Sequence, residues 1–171
     1  FYRRKLALPE GFQKNRVLLH IGAADQTAKI YVNQNNAVAI STFDGCKVSF
    51  EDLTIATTGG LYKGFARMEG KYTNCKFEKL YFTLYGKHEF INCEFDAQSD
   101  EHCMWTYGAK DVSFKGCKFN YSDRCVNVYV DNGDDSAKVL FDDCEFVTAN
   151  TDSKGAVEIN SSAFPKGANI D

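Results

Sequence analysis

A six-residue phrase recurs along this chain, and no other feature limits its fold so strongly. Phe90-Ile-Asn-Cys93-Glu-Phe95 matches Phe114-Lys-Gly-Cys117-Lys-Phe119 and Phe141-Asp-Asp-Cys144-Glu-Phe146. Tyr72-Thr-Asn-Cys75-Lys-Phe77 has Tyr at the first position, and Phe50-Glu-Asp-Leu53-Thr-Ile55 is an earlier copy with Leu and Ile substituted. The centre of the phrase aromatic-x-x-Cys-x-Phe advances from 53 to 75, 93, 117 and 144, in steps of 22, 18, 24 and 27. Short strands with apolar residues on alternate positions cannot each bury a face alone, but stacked copies can. Each copy is therefore predicted to pair in parallel with the copies before and after it, ~4.8 Å apart. The Phe and Cys positions then become continuous internal columns. Cysteine is small and readily buried, so it suits a tight corner. The x-x pairs (Thr-Asn, Ile-Asn, Lys-Gly, Asp-Asp) contain turn formers that bend the chain between two strands.

A fainter pattern lies between the copies. Phe82-Thr-Leu-Tyr85-Gly86 is like Met104-Trp-Thr-Tyr107-Gly108 and Val126-Asn-Val-Tyr129, with tyrosines 22 and 22 apart. Ala156-Val-Glu-Ile-Asn160 reads as the last member.

Composition supports a β-rich solid. The chain has 171 residues, 44% apolar and 14% aromatic, enough for one domain with a real core. The only prolines, Pro9 and Pro165, lie near the ends. The net charge of −3 makes no case for nucleic acid or an anionic membrane. No apolar run approaches the roughly 18 residues of a membrane span. Residue 1 is Phe, which reads as a processed or excised product, and no signal peptide is legible.

The seven cysteines are an odd number, and no Cys-x-x-Cys occurs, which removes the usual zinc-ribbon and redox spacings. Cys75, Cys93, Cys117 and Cys144 hold one place in four copies, so they read as buried, reduced and stacked. Cys103 and Cys125 stand 22 apart in equivalent places, where both a disulfide and two thiols are open outcomes.

On these motifs the chain resembles right-handed parallel β-helix proteins of the pectate-lyase-like class over about residues 37–162. More narrowly, the phrase is similar to that of adhesin-like β-helix proteins of gut bacterial surfaces. The resemblance implies an all-β fold, a short right-handed parallel β-helix of about five to six turns. It implies little about activity, because the fold hosts lyases, hydrolases, esterases and inert stalks. Residues 1–36 lack the repeat. Arg16-Val-Leu-Leu-His20-Ile-Gly-Ala-Ala-Asp25 and Ile30-Tyr-Val-Asn33 resemble a fragment of the sugar-binding jelly-roll domain of family 2 glycoside hydrolases. The match departs at Gln34, where that family usually has Gly, and the catalytic barrel is absent. Three strands of a jelly roll cannot close a sandwich. Residues 1–36 are therefore expected to cap the first turn of repeats spanning 37–171.

Chemistry is harder to place. Asp96, Asp100 and Glu101 form one acidic stretch, Asp131, Asp134 and Asp135 a second, and Asp142 and Asp143 a third. The last pair sits at the turn position of its repeat. Asp131, Asp134 and Asp135 are weak metal candidates with the wrong spacing for an EF-hand, and they read first as a turn-forming loop. His20, His88 and His102 are scattered. No cofactor and no catalytic set is expected. If Met104 and Thr106 face inward, then Trp105 and Tyr107 face outward, with Tyr129 one turn later and Tyr85 one turn earlier. Tyr85, Trp105, Tyr107 and Tyr129 are the candidate ligand-binding residues, as an aromatic shelf for sugar rings or as sheet stacking alone. With the opposite parity they are core.

The function expected is a noncatalytic extracellular or cell-surface module for adhesion, glycan binding or spacing. The alternatives are a carbohydrate-active lyase or hydrolase on the outer sheet face, and a structural piece of a filament or fibre. Expected partners are a surface glycan or surface protein, with homo-oligomers formed through the helix ends.

Overall fold

The structure is a computed structural model, and it describes residues 16–18, 28–32, 40–41, 47–57, 65–66, 69–96, 102, 104–128 and 138–159. All regular structure among them is β-strand. The chain forms β1 (Arg16–Leu18), β2 (Ala28–Val32), β3 (Ile40–Ser41), β4 (Lys47–Glu51), β5 (Leu53–Thr57) and β6 (Phe65–Ala66). It continues through β7 (Glu69–Thr73), β8 (Lys76–Glu78), β9 (Phe82–Ile91), β10 (Glu94–Asp96) and β11 (Met104–Lys115). The last are β12 (Lys118–Asn120), β13 (Arg124–Val128), β14 (Lys138–Asp142), β15 (Glu145–Val147) and β16 (Gly155–Ile159).

Every pairing among these strands is parallel. A six-stranded sheet runs β15-β12-β10-β8-β5-β2, and the other ten strands form a second sheet. Both sheets are open and end in edge strands. The ten-stranded sheet holds two rows. In one, β1, β4, β7, the second half of β9, the second half of β11 and β14 lie side by side. In the other are β3, β6, the first half of β9, the first half of β11, β13 and β16. In chain order the strands visit the three rows in rotation.

The register is that of the repeated phrase. Its first aromatic aligns as Phe50, Tyr72, Phe90, Phe114 and Phe141. Its last position aligns as Ile55, Phe77, Phe95, Phe119 and Phe146. Two aromatic ladders result. Tyr72, Phe90, Phe114 and Phe141 stack at centroid distances of 4.5, 5.1 and 5.1 Å with planes 10–11° apart. Phe77, Phe95, Phe119 and Phe146 stack at 5.1, 4.7 and 4.8 Å. The ladders meet edge to face, as in Phe90–Phe95 and Phe114–Phe119, both at 5.3 Å. Such pairs add about 0.5–1.5 kcal/mol each beyond the area they bury.

The corner between the ladders explains the middle of the phrase. Asp52, Asn74, Asn92, Gly116 and Asp143 all have φ between 51° and 60°. This left-handed conformation is open to Gly and tolerated by Asn and Asp. The next residue in the later four copies is the cysteine. Each thiol donates to the carbonyl two residues back: Cys75 to Thr73, Cys93 to Ile91, Cys117 to Lys115 and Cys144 to Asp142. In three of them the single S–H is shared with the aromatic carbonyl of the preceding copy, Cys93 with Tyr72, Cys117 with Phe90 and Cys144 with Phe114. The thiols thus tie successive copies together. Cys75, Cys93 and Cys117 are buried, whereas Cys144, in the terminal copy, is half-buried. Burial of all four was expected, and the fourth falls short because, among the described residues, no later copy in these rows covers it.

The sheets do not change at residue 36. β1 and β2 lie in the same two sheets as the repeats and pair in parallel with β4 and β5. They are terminal strands, so they cover the edges of the first copy of the phrase. No helix among the described residues is long and apolar enough to cross a membrane.

Candidate functional site

The aromatic shelf expected from the sequence falls on the row that contains β11, β13 and β16. Met104 and Thr106 are buried and Trp105 between them is half-buried, so the predicted parity holds at this point. The register sets Thr83, Trp105, Asn127 and Glu158 in one outer column. Met104 aligns instead with Phe82 and Val126, which are core.

The tyrosine column is not regular. β11 carries an extra residue after Trp105, so the partner of Tyr85 is Gly108 and not Tyr107. A bulge of this kind shifts every later residue by one and re-aims its side chain. An even step of 22 residues therefore does not produce the expected alignment of Tyr85 with Tyr107. Tyr85 is half-buried. The side chain of Tyr107 and all of Tyr129 lie outside the described residues, as do Asp131, Asp134, Asp135, Asp100, Glu101, His20 and Cys103. Asp142 and Asp143 are exposed, and the positive φ of Asp143 identifies it as a turn residue.

The structure assembles a polar cluster beside Trp105 that the sequence did not reveal. His102 is 2% exposed and packs edge to face on Trp105, at a centroid distance of 5.4 Å and an interplanar angle of 81°. Its Nε2 lies 3.0 Å from Oε2 of Glu158, 56 residues later. A carboxylate only accepts, so Nε2 carries the proton and donates. Arg124 Nη1 stands 3.8 Å from the same Oε2, and Arg124 Nε stands 3.8 Å from Asp123 Oδ2. Lys154 Nζ donates to Asp123 Oδ2 at 2.7 Å. That ammonium, more than any other group, holds the Asp123 carboxyl below the ordinary carboxylate range.

Three atoms of the cluster are buried without a hydrogen-bond partner: His102 Nδ1, Arg124 Nε and Asn127 Oδ1. Buried polar atoms are ordinarily paired, and each exception costs about 1–3 kcal/mol. Two further such atoms, Tyr72 Oη and His88 Nδ1, lie elsewhere among the described residues. No group of His, Cys, Asp and Glu among the described residues is arranged to hold a metal ion.

The likeness of Val126-Asn127 to Met104-Trp105 was legible in the sequence, but it gave no role to Glu158, Arg124 or His102. The signal for Glu158 was present, since Val157-Glu158 occupies the place of Met104-Trp105 and Val126-Asn127. No such signal exists for His102. It precedes β11, outside the strand pattern, and only tertiary contact brings it to Glu158. No family model, curated protein or solved structure matches this chain.

Proposed function

We propose that this chain is a noncatalytic extracellular or cell-surface module, a right-handed parallel β-helix of about five to six turns, that binds glycan on an outer sheet face. The observation that carries this reading is Trp105, half-buried on an outer column and braced by His102, with Glu158 and Asn127 in line with it. A braced indole beside the exposed Glu158 carboxylate offers a flat apolar plate and a hydrogen-bonding group at its rim, which a sugar ring requires. Affinity per site is weak, and repeated copies on a surface would raise it. Adhesion or spacing is the role such a module serves, with a surface glycan or a neighbouring surface protein as partner. Its open sheet ends offer a route to homo-oligomers or to a fibre.

A carbohydrate-active enzyme, a lyase or hydrolase, is the second reading, favoured by the His102–Glu158 hydrogen bond near Arg124. Hydrolysis of a glycosidic bond ordinarily needs one carboxyl group that can donate a proton. Asp123, beside Arg124, is kept ionised by Lys154 and is unsuited to that task. The test is a glycan array probed with the parent and with Trp105→Ala and Tyr107→Ala variants whose melting temperatures match the parent. Binding lost in either variant supports the module. Equal binding by both makes the shelf structural, and turnover of a bound polysaccharide that disappears in Glu158→Gln favours the enzyme.

A further inference from the structure

We infer that the free edge of β14 joins two copies of this chain across a two-fold axis, β14 of one pairing antiparallel with β14 of the other. Of the open sheet ends noted above this selects one end, one strand and one register, and it does not depend on glycan binding. The apolar surface points to that end. Leu140 at 50%, Val157 at 37% and Ile159 at 39% are the exposed large hydrophobic side chains among the described residues, and all three lie on terminal strands. Val157 aligns with Val126, and Val126 with Met104, and both of those are fully buried. In β14, Val139 and Phe141 are half-buried, whereas their partners in β11, Val112 and Phe114, are fully buried. The inner positions of the last layer thus lack a cover. One edge of β14 pairs with β11, and no described strand pairs with the other. An unpaired edge of this kind is a template for another strand.

The sequence of β14 identifies the strand that fits. Lys138, Leu140 and Asp142 are exposed on its outer face, and Val139 and Phe141 alternate with them. An antiparallel pair centred on Leu140 sets Lys138 of each copy opposite Asp142 of the other. On the inner face Val139 of each copy meets Phe141 of the other, and at the axis the two leucines meet. Opposite charges and aromatic–β-branched pairs are the favourable cross-strand combinations, and β14 makes both with itself. A two-fold interface requires such self-complementarity. Lys138 and Asp142 form no ion pair among the described residues, so both charges are available. In the four earlier copies the place of Leu140 is held by Ser49, Lys71, Glu89 and Ser113. A leucine there departs from a polar outer column, at the one position that the two-fold axis would cover.

Sedimentation equilibrium of the full chain over a range of concentrations reads the association. The expected result is a reversible equilibrium between a monomer of 19.2 kDa and a species of twice that mass. Lys138→Asp or Asp142→Lys alone sets like charges opposite each other at both ends of the pair and should raise the dissociation constant at least about tenfold. The two substitutions together restore opposite charges and should return it close to the parent value. Leu140→Asp brings two carboxylates together at the axis and should abolish the dimer. All three positions are exposed in a single copy, so the dilute monomers should melt with the parent. Hydrogen exchange on the parent needs no variant: the amides of β14 should exchange more slowly in concentrated than in dilute solution, with those of β7 unchanged. A chain that stays monomeric to its solubility limit, or that assembles beyond two copies, overturns the proposal. So does a dimer indifferent to Leu140→Asp, a double variant that fails to recover the dimer, or exchange in β14 that ignores concentration. None of these outcomes bears on sugar binding, which the glycan array decides.

Discussion

His88 lies in the core with its ring parallel to Tyr72 and Phe90, at centroid distances of 6.2 and 6.0 Å. Its Nε2 donates to the carbonyl of Tyr85 at 2.8 Å, and Nδ1 has no partner. Burial pushes its pKa down from 6.5 to about 4. The unfolded chain therefore takes up a proton near pH 6.5 that the folded chain refuses until about pH 4. Stability contributed by this group is full above pH 6.5, falls through that window, and is level again below it. At 1.36 kcal/mol per pH unit the loss is about 3 kcal/mol. Urea unfolding from pH 7.5 to 4 should reveal it, and His88→Phe should remove that part of the slope; an unchanged slope in the variant would refute the assignment. The cysteine column makes a second residue-scale prediction. The Cys93 thiol is held above the ordinary range by hydrogen bonding with Cys117 and Cys75 and by burial. Cys75 and Cys117 shift the other way, because the Cys93 thiol can donate to either sulfur. Access decides the outcome, because all three are buried. Iodoacetamide labelling of the native protein, read by mass spectrometry, should modify half-buried Cys144 well before Cys75, Cys93 or Cys117. Labelling of Cys93 at the rate of Cys144 would contradict the ladder.

At the scale of the element, the residue before the final Phe of each phrase sets the outer face of the six-stranded sheet. Lys76, Glu94, Lys118 and Glu145 fall in one column, alternating in sign. Lys76 pairs with Glu94 at 3.2 Å, Lys118 pairs with Glu145 at 3.1 Å, and Asn120 donates to Glu94 at 3.0 Å. Each exposed ion pair contributes little alone. Their order matters more, because a strand displaced by one copy would set like charges against each other. Glu94→Lys places three lysines in succession and should cost about 1 kcal/mol, with part of the loss recovered in molar salt as the charges are screened. Thermal melts at low and high salt test this, and a loss independent of salt would assign the cost to packing. The inner face carries the larger share of stability, through aromatic stacking and burial. The phrase thus encodes the core column with Phe, the corner with Asn, Asp or Gly, and the outer column with alternating charge.

The whole molecule has two ends. At one, β1 and β2 close the edges of β4 and β5. At the other, β14, β15 and β16 are terminal, and Val157 and Ile159 of β16 are exposed. A parallel stack depends on each layer being covered by the next, so its ends are its weakest parts. Deleting residues 1–36 should uncover the edge of the first phrase, lower the melting temperature and promote association through unpaired strand edges. Light scattering with a thermal melt checks this. A monomeric truncation that melts with the parent would show that the segment does not cover the first layer.

The sequence alone determined the layers. Aromatic-x-x-Cys-x-Phe repeats at steps of 22, 18, 24 and 27 without losing its internal order, because each position meets its own kind in the copy above and below. The left-handed corner was legible as a turn, since Asn, Asp and Gly recur there, although the cysteine-to-carbonyl bonds were not. What only tertiary structure decided lies outside the phrase. The bulge in β11 moved Tyr85 out of line with Tyr107, because an extra residue in one strand alters register without altering the spacing of like residues. The contact of His102 with Trp105 and Glu158 joins a residue outside the strands to one 56 positions later. A repeat dictates which residues share a column, since that follows from period and parity. Which irregular segment lies over a column depends on the path of the chain between strands, and the periodic pattern contains no information about that path.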